Sequence, residues 1–81
     1  MTKRCVVLYT RPGCHLCEEA KQAMSAARCA DEYTLEEVNI ETQAELLHLY
    51  RYDIPVITID GVEAFRHRLP AEDFRRMIRQ M

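Results

Sequence analysis

Cys14 and Cys17 are separated by two residues, His15 and Leu16, and stand between an apolar run and an amphipathic one. At that spacing two sulfurs meet across the first turn of a helix. Cys14 then takes the helix N-terminus, where unpaired backbone N–H groups and the helix dipole favour negative charge. The thiolate is the attacking species of thiol–disulfide exchange, so this position raises the reactive fraction near neutral pH. A pair so close in sequence closes almost no loop and makes a poor structural staple. The chemistry these residues predict is a reversible dithiol/disulfide couple.

The elements that must position the pair are readable on either side of it. Arg4 to Thr10 is a β-branched and aromatic run ended by Arg11-Pro12-Gly13, which predicts a buried strand and a turn. Leu16, Ala20, Ala23, Met24 and Ala27 recur at helical spacing opposite Glu18, Glu19, Lys21, Gln22 and Arg28, so a helix is expected from Cys14 or His15 to Cys29. Tyr33 to Ile40 reads as a second strand closing at Asn39. Thr42 and Glu45 match a capping box for a second helix whose apolar face carries Leu46, Leu47 and Tyr50. Ile54 to Ile59 is a third strand, Asp60-Gly61 a hairpin turn, and Val62 to Arg66 a short fourth strand. Pro70 opens a last helix with Phe74, Met77, Ile78 and Met81 on one side. The expected fold class is α/β: a three-layer α/β/α sandwich around a mixed four-stranded sheet, in the order βαβαββα. The first two strands are parallel neighbours with a right-handed crossover, and the thiols lie at the carboxyl end of a central strand.

Composition bounds the function. The chain has 81 residues, room for one domain, and 48% of them are hydrophobic, enough for a small core. A net charge of −2 makes no case for nucleic-acid binding. The longest apolar stretch, Cys5 to Tyr9, is too short for a bilayer span or a secretory core. These features lead to the expectation of a soluble, cytoplasmic monomer whose paired cysteines are catalytic or metal-binding rather than structural. Of the other two cysteines, Cys5 is expected to be a buried small hydrophobe in the first strand. Cys29, about 18 Å along the helix from Cys17, is too far away to resolve Cys14.

Two segments carry a family resemblance: Tyr9-Thr10-Arg11-Pro12-Gly13-Cys14-His15-Leu16-Cys17 and Asp53-Ile54-Pro55-Val56-Ile57. On this order of elements the chain resembles the thioredoxin-fold superfamily, and within it the glutaredoxin-like small redoxins. The resemblance implies that Cys14 is the attacking thiolate and Cys17 the resolving thiol, with no organic cofactor or metal. It implies that Pro55 is cis and lies opposite the pair, leaving the Ile54 backbone N–H and C=O for a substrate segment to pair with as an added strand. Arg11 matches a position where glutaredoxins usually carry Lys, a cation that stabilises the thiolate and can hold a substrate carboxylate. The implied partners are a disulfide-containing protein substrate and either thioredoxin reductase or glutathione as reductant. The Gly-Gly pair with which glutaredoxins grip glutathione is missing from Val62 to Pro70, which leans toward the former. Thioredoxins proper flank the pair with Trp and bury an acid in the preceding strand, and this chain has neither.

Other uses of the same residues stay open at this level. A zinc site or an iron–sulfur cluster bridging two copies would also recruit Cys14 and Cys17, although Cys29, His48 and His67 are scattered without ligand spacing. A non-catalytic adaptor would keep the fold and let the thiols lapse. His15 is expected to face solvent beside the pair. Arg66, Arg68, Arg75, Arg76 and Arg79 form either a solvated face or a docking patch for an acidic partner.

Overall fold

The computed structural model describes residues 3–80. Four strands and three helices follow one another as β1 (Arg4–Thr10), α1 (His15–Ala26), β2 (Tyr33–Asn39), α2 (Ala44–Tyr50), β3 (Val56–Ile59), β4 (Val62–Arg66) and α3 (Ala71–Arg79). The sheet order is β2-β1-β3-β4, with β1 parallel to β2 and antiparallel to β3, and β3 antiparallel to β4. This is the mixed four-stranded sheet with flanking helices that the sequence pattern predicts.

Strand alternation decides which residues meet the helices. Val6 and Leu8 of β1 and Ile57 and Ile59 of β3 point to one face, where they join Ala20 and Met24 of α1 and Phe74 and Ile78 of α3. Phe74, Leu8 and Met24 are the largest of the fully enclosed side chains. Tyr33 meets Phe74 edge-to-face at 5.2 Å between ring centroids, which ties β2 to α3. On the opposite face Tyr9 stacks against Tyr50 of α2 at 4.8 Å. All four residues of β3 are buried, as suits a strand with neighbours on both sides.

The hairpin between β3 and β4 follows its sequence signal. Ile59 pairs with Val62, and the two loop residues Asp60 and Gly61 both have positive φ, 52° and 84°, which is the two-residue geometry that matches strand twist. Asp60 also serves as an anchor. Its carboxylate accepts from the Cys5 backbone N–H at 2.9 Å and from Arg4 Nη1 at 2.7 Å, and these contacts hold its pKa below the usual carboxylate value.

Several local expectations are corrected. Helix α1 ends at Ala26, short of Cys29, because Arg28 takes a left-handed φ of 56° and turns the chain so that Cys29 drops into the core. The capping box at Thr42 and Glu45 does not form. Thr42 lies in a 3₁₀ turn, where its hydroxyl donates to the Asn39 carbonyl at 2.7 Å, and α2 starts at Ala44 without a side-chain cap. Strand β3 begins at Val56, leaving Ile54 and Pro55 in the connection before it. Cys5 is exposed. It falls on the face opposite Val6 and Leu8, and the seven-residue α2 does not cover that end of the sheet. The apolar position Met81 lies outside the described residues.

Two stability predictions follow from these contacts. Truncating Phe74 to Ala leaves a cavity at the centre of the larger cluster and costs about 3–5 kcal/mol in urea denaturation. The lowered pKa of Asp60 means that its ionised form stabilises the fold above its unfolded value of 3.8, and that this contribution is lost as pH falls through the lower folded value. Asp60→Asn keeps the turn and removes the charge. The stability gap between wild type and Asp60→Asn is therefore widest at neutral pH and closes as the pH is taken below about 3.8.

Candidate active site

Strand β1 delivers the chain to the site and the turn after it aims the first thiol. Cys14 N–H donates to the Arg11 carbonyl at 3.3 Å, and Gly13 bridges the turn with a φ of +78°, a conformation that a side chain would strain. Cys14 is then the N-cap of α1. Its Sγ accepts the Cys17 backbone N–H at 3.2 Å, and its carbonyl accepts from the Glu18 N–H. A sulfur thus takes the place that a Ser or Asp oxygen usually fills, and the same donor would stabilise a thiolate there.

Cys14 and Cys17 are joined as a disulfide, with Cα atoms 5.3 Å apart. The two sulfurs have different surroundings. Cys14 is partly exposed, whereas Cys17 is 0% exposed and packs with Ile40 and Ile54 inside a wall made by Tyr9, Leu46, Leu47 and Tyr50. An incoming reagent can reach only one end of the bond.

An open depression of about 550 Å³ lies beside Cys14, lined among others by Thr10, Arg11, Glu18, Lys21 and Asn39. Lys21 sits between Glu18 at 2.9 Å and Glu37 at 3.3 Å, and those hydrogen bonds raise its pKa. Arg11 lines the depression, is exposed and makes no ion pair among the described residues. His15 is exposed and lies 3.5 Å from Glu19.

The other sequence-chosen residues come to the same place from far along the chain. Ile54 is buried against Cys17, and the Ile54–Pro55 peptide bond is cis. The Pro55 carbonyl accepts the His67 N–H at 2.8 Å, while the Ile54 N–H and C=O make no backbone hydrogen bond among the described residues. The structure therefore gathers Cys14, Cys17, Arg11, Ile54 and Pro55 at one end of the sheet.

The arginine cluster is not gathered there. Arg66 pairs with Asp53 and Glu63, Arg75 with Glu72, Arg76 with Asp73, and Arg79 with Glu32. Those acids neutralise most of the face, which suits the solvated reading. Among the described residues no group of three or more His, Cys, Asp or Glu is placed to hold a metal ion. No described helix is long and apolar enough to cross a membrane. Sequence reasoning missed the tyrosine and leucine wall around Cys17. Its signal in the sequence is the apolar face of α2, Leu46, Leu47 and Tyr50, whose position beside Cys17 only the fold shows.

The fold places a Cys-x-x-Cys disulfide at the start of α1 on a thioredoxin-like α/β scaffold, which is the class of a small redoxin. Residues 5–79 match the Glutaredoxin-like domain (DUF836) family, and the chain belongs to that family. It is 33% identical over 82 residues to the "Glutaredoxin-like protein YDR286C homolog" of Dictyostelium discoideum, covering 89% of this chain and 76% of the relative. Among solved structures it is similar to protein Ne2328 from Nitrosomonas europaea, at a TM-score of 0.80 and 28% identity over 96% of this chain and 94% of that one. Protein XcR50 from X. campestris is similar at a TM-score of 0.76 and 28% identity, over 89% and 92% of the two chains.

The two thiols outside the pair should differ sharply in reactivity. Cys5 is exposed, whereas Cys29 is buried and its pKa is raised, mainly by that burial and then by Glu32. Iodoacetamide applied to the oxidised native protein should add one label at Cys5 within minutes, and the second, at Cys29, only on unfolding. Intact-mass spectrometry reads both steps, and equal rates at the two sites would refute the assignment.

Proposed function

We propose that the protein is a thiol–disulfide oxidoreductase acting through Cys14 and Cys17. The observation that carries this reading is the asymmetry of the pair: an accessible sulfur capping a helix N-terminus, bonded to a sulfur that is wholly buried. In the reduced protein the Cys14 thiolate attacks one sulfur of a substrate disulfide. The S–S bond breaks, the first substrate thiolate leaves, and a mixed disulfide joins Cys14 to the substrate. Cys17 gives up its proton and attacks Cys14 Sγ, releasing the second substrate thiolate and closing the internal disulfide. The substrate gains two electrons and the pair loses two.

The roles of the surrounding residues follow from this reading. Arg11 supplies a cation beside the thiolate and can meet a substrate carboxylate. Ile54 offers an unpaired backbone edge on which an extended substrate can lie, next to Pro55. The substrate is a disulfide-containing protein. The reductant that resets the pair is thioredoxin reductase or glutathione, with the absence of a Gly-Gly pair favouring the former. The protein works as a cytoplasmic monomer, in a compartment reducing enough to return the dithiol.

Redox equilibration against a glutathione series, read by thiol trapping and mass spectrometry, tests the proposal. A reversible two-electron transition confined to Cys14 and Cys17 is expected, at a potential in the range of roughly −120 to −270 mV spanned by related couples. Cys14→Ser should abolish disulfide reduction, and Cys17→Ser should accumulate the mixed disulfide. Full activity in Cys14→Ser would sink the assignment. Thiols that never pair, or that stay shielded until a chelator is added, would point to the adaptor or the metal centre instead.

A further inference from the structure

Asp53, Arg66 and His67 come from two separate parts of the chain and meet beside Ile54. The Asp53 carboxylate holds Arg66 Nη1 at 2.9 Å through Oδ2 and faces His67 Nε2 at 3.5 Å through Oδ1. Arg66 also pairs with Glu63 on its own strand, so its guanidinium reaches Asp53 already oriented. The backbone adds a further tie, because the His67 N–H donates to the Pro55 carbonyl at 2.8 Å.

His67 is held in an unusual conformation. Its φ is +68°, and the Arg68 N–H donates to the Arg66 carbonyl at 2.7 Å across it. A three-residue turn with a positive central φ is a rare and strained form, and histidine has no glycine-like freedom there. Such strain persists where the surroundings over-determine the backbone, and it concentrates at sites of function. Here the surroundings are the Asp53 carboxylate on one side and the Pro55 carbonyl on the other.

The contacts converge on a short segment. Asp53 directly precedes Ile54, whose N–H and C=O make no backbone hydrogen bond among the described residues. Arg66 and Asp53 are both partly exposed, and an ion pair of that exposure adds little to global stability. Its effect is local, on the angle at which the connection before β3 presents its edge.

We infer that Asp53 is a positioning residue that, with Arg66 and His67, clamps the segment before β3 and holds the Ile54 backbone ready to pair with a substrate strand. The inference rests on the oxidoreductase reading above. The clamp touches neither sulfur, so it acts on substrates long enough to lie along Ile54 and leaves sulfur exchange itself to the cysteines.

Two disulfides separate these contributions: an extended peptide disulfide, and a small organic disulfide with no backbone to pair. In Asp53→Ala, the ratio of kcat/KM for the peptide to that for the small disulfide should fall about two- to fivefold, through a raised peptide KM. His67→Gly separates positioning from stability. Glycine adopts the positive φ without strain, so the melting temperature should hold or rise while the same ratio falls. A ratio that keeps its wild-type value in both variants overturns the clamp. So does a parallel loss on both substrates that tracks the melting temperature. A wild-type protein that reduces neither disulfide overturns the oxidoreductase reading, and the clamp with it.

Discussion

The antiparallel pairing of β1 with β3 is the constraint on which the site depends. Tyr9 lies across from Val56, so the carboxyl end of one strand and the amino end of the other finish at the same end of the sheet. Everything that follows Tyr9, through the turn to Cys14, therefore faces everything that precedes Val56, back through Pro55 to Ile54. Ile54 lies forty positions after Cys14 in the chain, and this one register brings them together. A slip of one residue would turn β3 over relative to β1, sending Ile57 and Ile59 to the wrong face and emptying part of the core that seats α1 and α3. The burial that stabilises the fold and the juxtaposition that serves the chemistry are thus set by the same four residue pairs.

Around that constraint the molecule divides its cysteines by environment. Cys17 and Cys29 are both fully buried, but one closes a bond with a surface sulfur while the other is enclosed by core residues. Cys14 and Cys5 both have exposure, but only Cys14 sits at a helix N-terminus with a backbone donor on its sulfur. Helix and strand position, more than residue type, separate the disulfide pair from the two free thiols.

Most of the architecture was legible because each element carried its own local signal. Val6 and Leu8 alternate, α1 repeats with the helical period, Asp60-Gly61 marks a hairpin, and Pro55 follows an isoleucine just ahead of a β-branched run. The pair Cys14 and Cys17 was legible for the same reason, since spacing and helix start are neighbouring facts in the sequence. What was not legible depends on distant partners. The exposure of Cys5 follows from the short reach of α2, and periodicity within β1 alone does not report it. Thr42 had a capping pattern but found the Asn39 carbonyl closer, and local competition of that kind decides many helix starts. The arginines of β4 and α3 looked like one patch in the sequence. Their acids come from Asp53 and Glu32 as well as from their own elements, and only the fold shows the charge to be balanced.

The two borders of the sheet are built to discourage pairing with other chains. Strand β2 lines one border with exposed Glu36 and Glu37, and β4 lines the other with a bulge at the Ile57–Thr58 step and with Glu63 and Arg66 exposed. Charge on β2, and charge together with irregularity on β4, oppose the flat ladder on which unfolded segments stack and aggregate, although Leu35 and Val62 are exposed on the same two strands. On the proposed reading substrates arrive partly extended with their cysteines presented, and an unguarded edge would collect them along its length. Against those charged margins, the Ile54 backbone, which makes no backbone hydrogen bond among the described residues and packs beside Cys17, is where the proposed mechanism docks an extended substrate. Protection of the sheet margins and the choice of a docking edge are in this sense one property of the sheet.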